Sequence, residues 1–416
     1  MENMELNVFK YFKNKKILIT GHTGFKGSWL AEFLNSIGAY VYGIALKENE
    51  LSLYNLINLN EKISSYIEDI RNLTNIKKIV DKINPDIIFH LAAQPIVLES
   101  YDNPVYTYET NIMGTINILE SIRNLNNLEC AVIITTDKVY ENREWAWGYR
   151  ENDMLGGDDP YSSSKACAEL IVKSYKKSFL TNKNIGVARA GNVIGGGDFS
   201  KFRIIPDIVK AIKNGNTVEL RNPNSIRPWQ HVLDVIYGYL LFAYNLIHNK
   251  NNISESYNLA PIYTGNEYTV ENITKIFIEM VGQGMYKITK QNKLHNENNL
   301  LLLDSSLIRK ELGWKEMFNI KEAVKETALW YREYLNNSNL HNITNLQIEN
   351  YKQNRTEQNR TEQNRTEQNR TEQIKLNSIK YYNFNKVNKK IDFYYYEIID
   401  HYTNAEPLQK YNWEAA

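Results

Sequence analysis

One short segment near the N-terminus restricts the fold more than any other feature of the sequence. The apolar run Lys16–Thr20 is followed at once by Gly-His-Thr-Gly-Phe-Lys-Gly over residues 21–27, and a helical pattern continues over Ser28–Asn35. Glycines in a strand-to-helix turn let the backbone approach an anion, while the N–H groups at the helix start point at it. This placement, more than the glycine spacing alone, predicts a turn that binds the pyrophosphate of a dinucleotide.

We expect six residues of this turn to contact the cofactor: Gly21, Thr23, Gly24, Phe25, Lys26 and Gly27. A carboxylate that holds the adenosine ribose is expected about 20 positions further on, where the second strand ends. The second apolar run ends instead in Gly-Ile-Ala-Leu over residues 43–46. This position therefore leaves the choice between NAD and NADP open.

Short apolar runs alternate with helical patterns through the first half of the chain. After the first run come Tyr40–Leu46, Asp86–His90, Ala131–Thr135 and Ile185–Arg189. Strands that alternate with helices predict a parallel sheet covered on both faces, because each crossover places a helix on one face. We therefore predict a Rossmann-like, doubly wound α/β domain over residues 1–190.

The sequence changes in character after Gly191. Three consecutive glycines and several prolines break it into shorter elements, and we interpret residues 191–340 as mainly a smaller, substrate-binding lobe. Such a lobe would close over the carboxyl edge of the sheet, where ligands of open α/β sheets bind.

Four perfect copies of Gln-Asn-Arg-Thr-Glu occupy Gln353–Glu372. A period of five builds no continuous apolar stripe on a helix, and the charges cancel within each copy. We interpret residues 341–373 as a solvated linker, with a repeat-specific partner as the alternative. Residues 374–416 form a tail rich in Tyr and Phe, for which packing on the body, partner binding and disorder all stay open.

The composition excludes several classes of protein. Lys and Arg number 49 against 48 Asp and Glu, so no charge excess favours nucleic acid or an anionic membrane as the main partner. The only cysteines, Cys130 and Cys167, indicate a reducing compartment, and the histidines lack zinc-site spacing. No apolar run approaches the ~18 residues of a spanning helix, and the acidic N-terminus has no signal core. We expect a cytoplasmic protein without a metal.

A candidate catalytic set lies in the middle of the chain. Tyr161 and Lys165 are four residues apart, and therefore on one face of the helix predicted after Pro160. A nearby ammonium favours the phenolate and lowers the pKa of a phenol, so the pair suits a general base. Thr136, at the end of the preceding strand, can hydrogen-bond a substrate hydroxyl.

From about residue 15 to residue 332 the chain resembles the extended short-chain dehydrogenases/reductases, and in particular the nucleotide-sugar 4,6-dehydratases. The matching segments are GHTGFKGSWL (21–30), HLAAQPIV (90–97), TTDKVYENREWAWGYRENDMLGG (135–157), PYSSSK (160–165), RAGNVIGGGD (189–198) and RPWQHVLD (227–234). The long, tryptophan-bearing stretch is the most specific. Dehydratases for GDP-mannose or dTDP-glucose usually carry Asp-Glu where this chain has Asp137-Lys138, and the chain is most similar to those that act on CDP-glucose.

The resemblance implies a redox-neutral conversion of CDP-glucose to its 4-keto-6-deoxy derivative for surface deoxysugar synthesis, with NAD as cofactor. It implies that Tyr161 takes the C4 hydroxyl proton, that Asp137 protonates the departing C6 hydroxyl, and that Lys138 is either the C5 base or an electrostatic stabiliser. Lys165 would also hold the nicotinamide ribose. Further residues are expected to bind the cofactor (Asp69, Ile70, Leu91, Ala92, Ala93) or the substrate (Asn192, Arg203, Arg227).

Other functions remain open from the sequence. The same scaffold serves dehydratases of other nucleotide sugars (GDP-mannose, UDP-glucose, dTDP-glucose) and 4-epimerases. A 4-epimerase needs no acid–base pair for water elimination, so Asp137-Lys138 disfavours it. A non-catalytic scaffold is disfavoured by the intact Tyr161 and Lys165 pair. Helical patterns over Asn111–Asn124 and Ser162–Leu180 carry apolar outer faces, and we predict that they pair in a homodimer.

Overall fold

The computed structural model describes residues 4–48, 50–220, 222–263, 265–289 and 300–358. The chain divides into two units, Met1–Thr356 and Glu357–Ala416, and the first contains the sheet and every candidate site residue. The repeat from residue 359 and the whole predicted tail lie outside the described residues. Within the described part, no helix combines the length and apolarity needed to cross a membrane.

Eleven strands are found in the described residues: β1 (Lys16–Thr20), β2 (Tyr40–Ala45), β3 (Ser64–Ile67), β4 (Ile87–His90), β5 (Cys130–Thr136), β6 (Ile185–Ala190), β7 (Val193–Ile194), β8 (Val218–Leu220), β9 (Gln230–His231), β10 (Ser256–Leu259) and β11 (Tyr286–Ile288). Seven of them form the main sheet, in the order β3-β2-β1-β4-β5-β6-β10, and every neighbouring pair is parallel. The order reverses between β1 and β4, so their carboxyl ends border a crevice.

Fourteen α-helices surround this sheet in the described residues: α1 (Met4–Phe12), α2 (Phe25–Ser36), α3 (Leu53–Leu56), α4 (Leu73–Ile83), α5 (Val97–Asp102), α6 (Pro104–Tyr108), α7 (Gly114–Ile122), α8 (Pro160–Ser178), α9 (Ile204–Lys213), α10 (Val232–His248), α11 (Val270–Val281), α12 (Ser306–Leu312), α13 (Ile320–Leu335) and α14 (residues 340–358). A π-helical turn, Glu109–Met113, joins α6 to α7.

Alternate residues of each central strand face opposite layers, as strand geometry requires. Ile17 and Phe89 pack with α1, α2 and α10 in one apolar core, while Leu18 and Ile88 pack with α4, α7 and α8 in the other. Helices therefore cover both faces, and the predicted doubly wound parallel sheet is confirmed. Two elements from the range assigned mainly to the second lobe, α10 and β10, belong to this sandwich.

Two further pairs of strands, β7–β9 and β8–β11, lie outside the main sheet. The first pair follows β6 directly: the backbone N–H of Gln230 donates to the carbonyl of Asn192, 2.9 Å away. The segment that carries the candidate substrate residues is thus attached to the carboxyl end of a central strand.

The linker prediction is wrong for residues 341–358, because this stretch belongs to α14. The side chains of Ile348 and Tyr351 are fully buried, and Trp330 of α13 donates a 2.9 Å hydrogen bond to Thr344. The first copy of the repeat forms the last described turns of this helix, and its Arg355 is only 3% exposed.

Arg355 is a charged residue in the interior, and polar and aromatic groups surround its guanidinium. Its guanidinium lies 3.4 Å from Asp234, donates to the Tyr351 hydroxyl at 2.7 Å and to the Lys315 carbonyl at 2.8 Å, and stands 4.2 Å from the centre of the Tyr237 ring. Tyr351 in turn donates to Asp234 at 2.9 Å. Burial raises the pKa of Asp234 to about 6, and Arg355 opposes that rise.

We predict that Arg355→Met lowers the free energy of unfolding by about 3 kcal/mol, because it leaves Asp234 buried without its cation. Arg332, an exposed arginine of α13, supplies the matched control, and Arg332→Met should lower the free energy of unfolding by less than about 0.5 kcal/mol. Urea unfolding followed by circular dichroism compares the two. A loss for Arg355→Met no larger than that of the exposed control would contradict the burial of Arg355 against Asp234.

Candidate active site

The glycine turn after β1 brings three backbone segments into contact. Gly21 has φ +77°, and a Cβ at this position would lie 2.8 Å from the backbone nitrogen of Ala92, which follows β4. A Cβ on Gly27 would lie 2.1 Å from the carbonyl oxygen of Gly21. Both positions therefore require glycine, and the contact fixes the start of α2 against the ends of β1 and β4.

The start of α2 suits the pyrophosphate of a dinucleotide. Its N-cap residue is Gly24, which has no side chain to cap the first-turn N–H groups. Lys26 adds a cation beside this helix end. Burial and then the positive charges of Arg203 and Lys165 lower the pKa of Lys26 to about 7, so an anion bound here would restore its protonated form.

The expected cofactor residues after β3 and β4 lie along the same sheet edge. Asp69 is bound by Arg71, whose Nη2 lies 2.8 Å from Oδ2, and these contacts outweigh burial and lower the pKa of Asp69. Ile70 packs against Gly114. Leu91, Ala92 and Ala93 follow β4, and the Ala92 nitrogen donates to the Thr20 hydroxyl at 3.2 Å. Their cofactor contacts stay predictions.

The helix that carries the candidate base begins where its capping residue dictates. Asp159 accepts a hydrogen bond from the Ser162 nitrogen at 2.9 Å, and Pro160 occupies the first helical position, where its missing N–H costs nothing. Tyr161 and Lys165 are thereby held one turn apart, and both are buried.

Burial sets the protonation of both groups. It raises the pKa of Tyr161 to about 12, although the Thr136 hydroxyl and Arg203 oppose the rise. The sequence predicts a lowered pKa for Tyr161, but the side chains of the protein by themselves leave it raised. Burial lowers the pKa of Lys165 to about 8, opposed by Glu169, and its ammonium donates to the Ile134 carbonyl at 3.2 Å.

The end of β5 places the carboxyl group of Asp137 close enough to Tyr161 for its charge to act on the phenol. Thr136 ends the strand, and Asp137–Val139 form a single 3-10 turn. The Thr136 hydroxyl donates to Oδ1 of Asp137 at 2.8 Å, whereas the buried Oδ2 has no hydrogen-bond partner among the described residues. Lys138, in the same turn, is half-buried. A buried, unpaired carboxyl oxygen suits a substrate hydroxyl, because leaving it unpaired is costly.

Arg203 joins this cluster from the second half of the chain. Its Nη1 lies 2.9 Å from Oδ2 of Asp198, and that carboxylate raises the pKa of Arg203. Its charge acts on both Tyr161 and Lys26. Asp198 is fixed through its carbonyl, which accepts from the Tyr331 hydroxyl at 2.5 Å. Asp198 is absent from the residues predicted from the sequence, although the three preceding glycines marked the loop.

The other two predicted substrate residues, Asn192 and Arg227, lie on either side of Arg203 in the sequence. Asn192 follows β6 and is half-buried. Arg227 precedes β9, and its Nη1 donates to the Ile226 carbonyl at 2.8 Å. Their contacts with a substrate stay predictions.

Asn111 is a second site residue that was not predicted from the sequence. It lies in the π-helical turn, where its Nδ2 donates to the Ser164 hydroxyl at 2.8 Å and to the Gln94 carbonyl at 3.1 Å. π-Helical turns are frequent at functional sites. Asn111 ties the helix of Tyr161 to the segment after β4, a link that no local pattern in the sequence indicates.

Comparisons with known proteins agree with this geometry. The family described as GDP-mannose 4,6 dehydratase matches residues 18–327. The CDP-glucose 4,6-dehydratase of Salmonella typhimurium is 40% identical over 349 residues, which cover 82% of this chain and 97% of that protein. The chain belongs to this family of nucleotide-sugar dehydratases within the short-chain dehydrogenases/reductases.

Solved structures share the fold at lower identity. The dTDP-glucose 4,6-dehydratase of Bacillus anthracis, in complex with NAD, has a TM-score of 0.64 and 21% identity over 76% of this chain and 96% of that one. The UDP-glucose 4-epimerase of Thermotoga maritima, with UDP-glucose, has a TM-score of 0.65 and 22% identity over 77% and 99%. Because both reactions use this fold, the fold alone does not separate them.

No cluster of His, Cys, Asp and Glu in the described residues could hold a metal ion.

Proposed function

We propose that the protein is an NAD-dependent 4,6-dehydratase that converts CDP-glucose to CDP-4-keto-6-deoxyglucose. The observation that carries this proposal is the buried, unpaired carboxyl oxygen of Asp137 beside Thr136 and Tyr161. A dehydratase needs an acid there to release water, whereas a 4-epimerase does not. The CDP-glucose 4,6-dehydratase at 40% identity supports the same reaction and substrate.

The cofactor residues fit a dinucleotide at the glycine turn. Gly21, Gly24 and Gly27 would hold its pyrophosphate, with Lys26 as the nearby cation. When bound, NAD would supply the acceptor for the C4 hydride and the donor of the same hydride to C6, while C5 regains a proton, so the reaction has no net redox change. Lys165 would hold the nicotinamide ribose.

Tyr161 removes the proton from the C4 hydroxyl during the first step. Its pKa of about 12 without cofactor is too high for a base at neutral pH, so the positive charges around it decide its activity. Among the described residues, the charge of Arg203 acts on Tyr161, and Lys165 lies one turn further along the same helix. Thr136 orients the same hydroxyl through its own hydrogen bond.

The C4 ketone acidifies the proton on C5, which prepares the elimination. Asp137 gives a proton to the C6 hydroxyl, which leaves as water while the C5 proton is removed and a C5–C6 double bond forms. Lys138 is either the group that takes the C5 proton or a cation that stabilises the enolate beside the ketone. Arg203, Arg227 and Asn192 would bind the diphosphate and sugar, for which planar guanidinium groups are well suited.

The product then supplies a deoxysugar pathway for surface polysaccharide, in the cytoplasm. The cytoplasmic location rests on the free Cys130 and Cys167.

A direct assay tests the function. The protein is incubated with NAD and, separately, the CDP-, GDP-, UDP- and dTDP-linked hexoses, and products are identified by mass spectrometry. We expect CDP-glucose to give a product lighter by one water. A product of unchanged mass with CDP-glucose would indicate an epimerase. Turnover of another nucleotide sugar but not of CDP-glucose would show that cytidine is the wrong nucleoside for this substrate.

Replacement of Lys138 separates the two halves of the reaction. Lys138→Met should still oxidise C4, because Tyr161 and Lys165 are intact, but it should eliminate water at least about 100-fold more slowly. With C4-deuterated CDP-glucose, reduced cofactor and 4-keto sugar should accumulate and little deuterium should reach C6. Tyr161→Phe should block both steps, which makes it the matched control. Dehydration by Lys138→Met at the parental rate would make Lys138 a structural neighbour only.

We also propose a homodimer through the flank formed by α6, α7 and α8. Large apolar side chains are exposed on this flank: Val105 is 69%, Leu170 54% and Met113 47% exposed. The three helices lie on one side of the sheet, and Tyr108 bonds to Ser163 at 2.8 Å. A two-fold axis through this flank would bury the apolar residues of both subunits against each other, which favours a symmetric dimer.

Light scattering at micromolar concentration tests the dimer. The parent should have twice the mass of one chain, and Leu170→Lys with Val105→Lys should halve it because two charges would be buried per subunit. Met285→Lys, at a position 70% exposed in the other lobe, is the matched control and should stay dimeric. A monomeric parent would reject the proposal.

A further inference from the structure

A buried ion pair lies directly behind the candidate catalytic helix. Glu169 is one turn beyond Lys165 on α8, and it pairs with Arg189 of β6. The side chains are 4% and 5% exposed, and Nη2 of Arg189 lies 2.5 Å from Oε2 of Glu169. Nε of Arg189 also donates to Oε1 at 2.9 Å. Taking both charges out of water is costly, and removing either partner alone would leave the other charge buried and unpaired.

The carboxylate of Glu169 also holds the strand that carries the acid. The Thr135 hydroxyl donates to Oε1 of Glu169 at 2.6 Å. Thr135 directly precedes Thr136 and Asp137 at the end of β5. One carboxylate therefore links the helix of Tyr161 and Lys165 to the strand of Thr136.

The guanidinium of Arg189 continues this link into the tryptophan-bearing segment, residues 140–157. Its Nη1 donates to the Tyr140 hydroxyl at 2.6 Å and to the Glu151 carbonyl at 2.9 Å. The Tyr140 hydroxyl donates in turn to Asn258 of β10 at 2.7 Å. The ring of Tyr140 stacks on Tyr149 with a centroid distance of 5.3 Å. The segment after Lys138 is thus tied to the core of the sheet.

The charge of Glu169 also bears on Lys165. Three titratable groups act on this ammonium or feel its charge: Glu169 on its own helix, His90 at the end of β4, and Lys26 at the start of α2. Burial and the charge of Lys165 lower the pKa of His90 to about 3, so His90 is neutral at physiological pH. Lys26 is like-charged, which leaves Glu169 as the anion of this set that favours the protonated form of Lys165.

We propose that Glu169 is a positioning residue for the dehydration, which holds Thr135 and Arg189 in one network and keeps Lys165 charged beside Tyr161. The proposal rests on the proposed function, and it assigns a role to residues outside the reacting groups. It also gives the segment 140–157 a purpose, since Arg189 fixes that segment to the same carboxylate.

The test compares Glu169→Gln with Glu169→Asp, using the full chain with NAD and CDP-glucose. If the proposal holds, turnover should fall as Lys165 loses its proton, so the alkaline limb of the kcat–pH profile should follow the pKa of Lys165. Removing the anion favours the neutral amine, and the limb of Glu169→Gln should move to lower pH by on the order of one unit. Glu169→Asp keeps the charge, and its limb should stay at the parental pH even if kcat falls.

An unchanged limb in Glu169→Gln, or an equal shift in both variants, would overturn the proposal. If Glu169→Gln does not fold, Glu169→Gln with Arg189→Met leaves no unpaired guanidinium, and its limb should move in the same direction by a smaller amount, because the loss of the Arg189 charge partly offsets the loss of the anion. Turnover of the parent decides the proposed function separately. The pKa of Lys165 can also be measured without turnover, from the NMR shift of its side chain titrated in the parent and the variants. The role of Glu169 and the proposed dehydratase function can therefore fail independently.

Discussion

The contact of the Gly21 backbone with Ala92 and Gly27 is the constraint on which the rest of the site depends. It joins the ends of β1 and β4 where the strand order of the sheet reverses, and it sets the start of α2. A side chain at Gly27 would overlap the carbonyl of Gly21, so no bulkier turn could bring the helix end to the same place. From this corner, β5 presents Thr136 and Asp137, and α8 presents Tyr161, to one crevice.

Burial of charge is the main cost of this arrangement. Lys26 and Lys165 have their pKa values lowered to about 7 and about 8, while that of Tyr161 is raised to about 12. Each shift points away from the charged form, because burial removes hydration from that form. An anionic cofactor and substrate bound here would offset the free-energy cost of burying the charged Lys26 and Lys165. The ionisation of Tyr161 would then depend on the bound ligands as well as on the protein.

The sequence was sufficient where a pattern is local. The strand, turn and helix around Gly21 and the spacing of Tyr161 and Lys165 each fall within a few residues, and the parallel sheet follows from the alternation of elements. Asn111 and Asp198 could not be predicted in the same way, because Ser164 lies 53 positions after Asn111 and Tyr331 lies 133 positions after Asp198. The linker prediction failed at Arg355 because an arginine without apolar neighbours in its repeat is buried by Asp234, a residue 121 positions earlier.

The central claim is that one bound sugar is oxidised at C4, loses water and regains the same hydride at C6. The most direct measurement mixes unlabelled CDP-glucose with CDP-glucose that carries deuterium at C4 and heavy carbon throughout the ring. Deuterium should appear at C6 only in the heavy-carbon product, with no accumulation of reduced cofactor. Deuterium in the unlabelled product, its loss to solvent, or a product of unchanged mass would contradict this claim.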